Sequence, residues 1–106
     1  EMAQAFRRLG AAVTLVERAA ILPKDEPEAV AILRAALLRE GIALHEGAEV
    51  LGARRADNGV QLELRGATGP VVLHGTHLLV AVGRRPNTAG LGLETAGIEV
   101  TPRGIT

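Results

Sequence analysis

Residues 78–88 read Leu-Leu-Val-Ala-Val-Gly-Arg-Arg-Pro-Asn-Thr. Five consecutive apolar residues, Leu78 to Val82, fit a strand covered on both faces, as in a parallel sheet. Gly83 lets the backbone turn sharply or approach a ligand closely. Two arginines follow, and Pro86-Asn87 closes the segment as a loop. An apolar strand ending in glycine at the carboxyl edge of an α/β sheet is where such folds place their ligands.

Outward from this segment, the preceding residues alternate. Val60, Leu62 and Leu64 interleave with Gln61 and Glu63, the pattern of a sheet with one wet face. Asp57-Asn58-Gly59 favours a hairpin between strands at Ala48–Ala53 and Val60–Leu64. Gly66 to Pro70 marks a second turn, and Val71–Leu73 a third strand of an antiparallel meander. Earlier still, Ala12–Val16 is short and β-branched, and Ile42–His45 is a second short strand. Between them Asp25 is placed to cap a helix, with Glu28 at capping-box spacing and Pro27 in the first turn. Val30, Leu33, Ala36 and Leu37 give that helix its buried stripe, and Gly41 ends it. Strand, helix, strand is a βαβ unit with parallel strands. At the start, Met2, Ala5, Phe6 and Leu9 form an apolar helical stripe ended by Gly10. Beyond Asn87, glycines punctuate a loop, and Ile98–Val100 reads as a last short strand.

Composition narrows the classes. The 106 residues suit one domain or part of one, and 47% are hydrophobic, which argues against disorder. Twelve basic residues balance twelve acidic ones and Phe6 is the single aromatic, so neither the basic footprint nor the stacking platform of a nucleic-acid binder is present. No cysteine is present for a disulfide, a zinc–thiolate site or a redox dithiol. No apolar run approaches the roughly 18 residues of a membrane span, and a cytoplasmic location is expected. His45, His74 and His77 lack metal-ligand spacing. Arg34, Arg39 and Glu40 read as a solvated helix face.

The Gly-Arg-x-Pro-Asn segment resembles that of the flavoprotein pyridine nucleotide–disulfide oxidoreductases, the family of dihydrolipoamide dehydrogenase, mercuric reductase and glutathione reductase. The resemblance extends along essentially the whole chain: helix end, acidic strand end, crossover helix, meander and strand exit. It implies an α/β fold, a Rossmann-like parallel sheet with an inserted antiparallel meander. The first strand and the Gly-x-Gly-x-x-Gly loop are absent from these residues. The chain reads as a partial NAD(P)-binding domain, residues 1–106, cut just downstream of its phosphate cradle. FAD-binding and dimerisation domains would lie elsewhere, and the intact protein would be a homodimer.

Candidate site residues follow. Glu17 ends its strand where dinucleotide-binding folds place an acid that accepts hydrogen bonds from ribose hydroxyls; a solvated strand-end charge is the other reading. A carboxylate suits hydroxyls and repels a 2′-phosphate, which favours NAD, whereas Arg18 beside it can bind such a phosphate and keeps NADP in view. By the resemblance, Glu1 matches a glutamate near the nicotinamide and Val50 a position whose backbone lies against the adenine. Val50 reads equally well as a core residue. Gly83 matches a glycine near the bound dinucleotide. Arg84 either contacts a ligand or another domain, or is an ordinary exposed arginine. No catalytic or metal-binding residue is expected. Three functions remain open: the NAD(H)-binding domain of a disulfide reductase passing hydride to flavin, that of a flavin-dependent NADH oxidase or other non-disulfide reductase, and a non-catalytic α/β nucleotide-binding or interaction module.

Overall fold

A computed structural model describes residues 1–106. Two helices and seven strands follow one another as α1 (Met2–Arg8), β1 (Thr14–Val16), α2 (Pro27–Arg39), β2 (Ala43–His45), β3 (Glu49–Ala56), β4 (Gly59–Gly66), β5 (Gly69–Gly75), β6 (Val100–Thr101) and β7 (Gly104–Ile105). The strands form three separate sheets: the parallel pair β1–β2, the antiparallel meander β3–β4–β5 and the small hairpin β6–β7. The expected βαβ unit and meander are both present; β1 and β2 end at Val16 and His45 as expected, and the other strand ends are shifted by one to three residues.

Both helices stop by the same device. Gly10 and Gly41 take positive φ, 101° and 79°. Around the first, Ala11 N donates to Phe6 O and Gly10 N to Arg7 O; around the second, Ile42 N donates to Leu37 O and Gly41 N to Leu38 O. These paired 6→1 and 5→2 bonds are Schellman endings, and the second carries the apolar contact that completes one. Ile42 and Leu37 are buried together with Val30 and Ile21, and Ala3, Val13, Leu15, Leu33 and Leu44 pack around them. Fully burying an Ile42-sized side chain stabilises by about 1.5–3 kcal/mol. The start of α2 differs from expectation. Glu26 is the N-cap, and no side chain caps the helix, so Asp25 does not have that role. Pro27 at the first helical position needs no N–H partner, and Asp25 N instead donates to Leu22 O.

Two expectations about burial fail. Leu78–Val82 belongs to no strand, and Leu79, Val80 and Val82 are 53%, 69% and 92% exposed. An extended apolar segment becomes a strand only where a neighbour supplies the other half of each hydrogen bond. Here β1 pairs with β2 alone and does not close onto this segment. On α1 the apolar stripe has no cover: Met2, Phe6 and Leu9 are exposed, and the helix buries no residue. Seven of the 106 residues are buried, and the radius of gyration is 18.0 Å against about 13 Å for a compact chain of this length. The layers are therefore spread apart, not wrapped around one core. The final strand pair also differs, with Ile98 outside it and Val100–Thr101 paired to Gly104–Ile105.

Candidate functional site

Parallel pairing sets Thr14 beside Ala43, Leu15 beside Leu44 and Val16 beside His45. One residue further, at the carboxyl ends, stand Glu17 and Glu46. Backbone bonds stitch the two exits together: Glu17 N donates to His45 O at 2.8 Å, Ala48 N to Glu17 O at 3.1 Å, and Gly47 N to Ala19 O at 3.0 Å. This clasp fixes where the first residues beyond β1 lie.

Within it, the half-buried Glu17 carboxylate turns towards its own loop, and Oε1 accepts from Ala19 N at 3.0 Å. Oε2 makes no hydrogen bond and is open to a donor. Glu46 is held more firmly. Its Oε1 accepts from Ile21 N at 2.7 Å and from Arg34 Nη2 at 2.8 Å, while Oε2 accepts from Arg34 Nε at 2.8 Å. The Arg34 guanidinium, helped by the Ile21 N–H, holds the Glu46 carboxyl down to about 2.

Arg18 is exposed and lies near enough to Glu49 to help keep that carboxyl below its ordinary range, Arg65 being the larger cause. Val50 follows Glu49 at the start of β3, where the ladder with β4 is irregular between Val50 and Gly52. At 49% exposed it is not a core residue. Glu17 is thus tied by backbone hydrogen bonds to the segment that leads to Val50, and Arg18 lies beside Glu17 in sequence.

The other candidates lie on separate segments and share no hydrogen bond or ion pair with these. Glu1 is the exposed N-cap of α1, its carbonyl accepting from Ala5 N. Gly83 has φ 153° and is exposed. Arg84 lines a shallow polar depression with Arg85, Pro86, Asn87, Pro102 and Arg103. Of the helix face read as solvated, Arg39 is exposed as expected, whereas Arg34 and Glu40 are paired. Arg34 is bound to Glu46, and Glu40 takes the Arg8 guanidinium on both carboxylate oxygens and Gln4 on one. No local pattern marks Glu46. Its signal lies in the register, because a parallel partner for Val16 at His45 puts Glu46 beside Glu17.

With this geometry in hand, comparison with known proteins gives a consistent answer. The profile of the pyridine nucleotide-disulphide oxidoreductase family matches residues 1–106, and the chain belongs to that family. It is 42% identical over 110 residues to a dihydrolipoyl dehydrogenase of Thermus scotoductus, covering 99% of this chain and 23% of that protein. It is also 39% identical over 104 residues to a mercuric reductase of Streptomyces lividans, covering 98% of this chain and 22% of that one. Among solved structures, the flavoprotein disulfide reductase RclA of Escherichia coli superposes with a TM-score of 0.82 at 30% identity, over 99% of this chain and 24% of RclA. LpdA of Mycobacterium tuberculosis gives 0.79 at 31%, over 95% of this chain and 22% of LpdA. The chain spans less than a quarter of the length of these relatives.

Proposed function

We propose that residues 1–106 are part of the NAD(H)-binding domain of an FAD-dependent oxidoreductase, with Glu17 receiving the ribose hydroxyls of the adenosine half. The observation that carries this reading is the Glu17 carboxylate at the end of β1, with Oε1 anchored on Ala19 N and Oε2 open. A half-anchored carboxylate is a pre-oriented acceptor, and it repels a 2′-phosphate. Arg18 beside it is exposed and enters no ion pair, so it is a residue that would welcome that phosphate. The carboxylate favours NAD over NADP. Val50 is exposed enough to lie against an adenine.

The residues present fit the adenosine half and not the pyrophosphate. No Gly-x-Gly-x-x-Gly run occurs within 1–106, so the helix-terminal N–H groups that cradle phosphates are not supplied by these residues. Bound there, the dinucleotide would supply a hydride, and FAD held by another domain of the intact protein would accept it. What this chain's own residues do is bind and orient the adenosine. The intact protein is read as a cytoplasmic homodimer, and no helix here is long and apolar enough to cross a membrane.

Steady-state kinetics of the full-length flavoprotein test this. NADH should be preferred to NADPH, and Glu17→Ala should raise the KM for NADH about tenfold, the worth of one charge-assisted hydrogen bond. A preference for NADPH, or an unchanged KM, overturns the reading.

A further inference from the structure

Beyond β1 the chain makes an excursion, residues 18–26, in which every residue but Ile21 is exposed. Such a loop has little packing to hold it, yet it carries the Ala19 N–H that anchors Glu17. Leu22 within it takes φ 47°, a left-handed conformation that a leucine adopts only when its surroundings impose it. Three contacts hold the residues just before it: the Ile21 side chain sits in the core with Val30, Leu37 and Ile42, the Ala19 carbonyl accepts from Gly47 N, and the Ile21 N–H is taken by Glu46.

We propose that Glu46 is a positioning residue for the dinucleotide site, acting through the 18–26 loop on Glu17. The inference rests on the ribose-binding reading above and adds to it the group that holds the receptor carboxylate in place. Glu46 is suited to this because its own position is fixed from two directions. It follows β2 directly, and the fork of Arg34 on α2 grips both of its oxygens, leaving it one orientation from which to receive Ile21 N. Loss of that acceptor strands the Ile21 N–H, and Leu22 can then relax towards negative φ. Ala19 lies three residues from Leu22, and a shift there swings the Glu17 carboxylate away from its anchored pose.

The test is a double-mutant cycle on the KM for NADH in the full-length flavoprotein, with Glu17→Ala, Glu46→Ala and the double variant. If Glu46 works through Glu17, Glu46→Ala raises KM about fivefold with kcat within about twofold, and the same change in the Glu17→Ala background raises it by less than about twofold. Equal factors in both backgrounds would mean that Glu46 merely supports the fold, and would overturn the inference. Should Glu46→Ala not fold, Glu46→Gln keeps an oxygen for Ile21 N and loses one arginine bond; its smaller KM rise must likewise vanish without Glu17. No rise with either variant, while Glu17→Ala still raises KM, overturns this inference alone. An unchanged KM in Glu17→Ala overturns the ribose reading and this inference with it.

Discussion

Gly59 and Gly75 meet across the meander with no room for a side chain between them: a Cβ on Gly59 would overlap the Gly75 carbonyl oxygen and lie 2.9 Å from Thr76 Cα. Both obstacles are backbone and cannot rotate away, and Gly59 also sits at φ 155°. Gly59→Ala is therefore expected to destabilise the meander by about 2–4 kcal/mol, through overlap plus an unfavourable backbone conformation. Gly52 has open space where its Cβ would go, so Gly52→Ala should stay within about 0.5 kcal/mol. Chemical denaturation of both variants checks the contrast.

Ile42 is 2% exposed and closes the packing between α2 and the parallel pair. Ile42→Ala should cost about 2–4 kcal/mol by lost burial and a residual cavity, while Ile32→Ala, on the 72% exposed side of the same helix, should cost little. Thermal unfolding midpoints of the two variants should differ by several degrees.

Acid should weaken the clasp at the strand ends. Glu46, Glu40 and Glu49 all have carboxyls held below the ordinary glutamate value of about 4.3, by Arg34, Arg8 and Arg65 respectively. A depressed folded-state value means that the contribution is complete above the unfolded value and fades as pH falls. For Glu46 the window runs from about 4.3 down to about 2. The stability gap between wild type and Glu46→Gln should be constant from pH 7 to 5 and narrow below about 4. A gap that widens on acidification would contradict the assignment.

Residues 1–106 expressed alone should associate and should bind NAD weakly. Leu79, Val80 and Val82 present a nearly continuous apolar strip with unpaired backbone groups, which seeks a partner strand. Light scattering at micromolar concentration should find dimers or larger species, and Val80→Lys with Val82→Lys should reduce them. Calorimetric titration with NAD should show little heat, since phosphate-cradling N–H groups are not supplied.

The local signals in this sequence were legible. Gly10 and Gly41 marked helix ends because a residue with positive φ is needed there, and Asp57-Asn58-Gly59 marked a hairpin for the same reason. Alternation over Val60–Leu64 located β4. Contacts distant in sequence were not legible. An apolar run such as Leu78–Val82 records that a segment is suited to burial, while actual burial depends on what lies beside it. Arg34 reads as a solvated helix residue because its partner is 12 positions away, and Glu40 because its partners are 32 and 36 away. The Asp25 cap failed for a different reason: Pro27 sets the first helical position, which moves the N-cap to Glu26. Of the candidate site, Glu17 and Arg18 could be placed from strand and charge alone, whereas Glu46 required the register.

The separation of the three sheets has a kinetic consequence. Every pairing in the meander joins residues across a two-residue turn or within one hairpin arm of it, as Ala56 with Gly59 and Gly66 with Gly69 begin each ladder. The parallel pair instead needs the whole of α2 to form or collapse before Thr14 can reach Ala43. Short loops close fast and long crossovers slowly, so the meander should zip first and β1–β2 should be the late event. With no ladder shared between them, each is free to open without the other. Amide exchange should then show β4, bonded on both flanks, as the slowest to surrender its protons, and the Glu17–Glu46 end as a unit that breathes on its own clock.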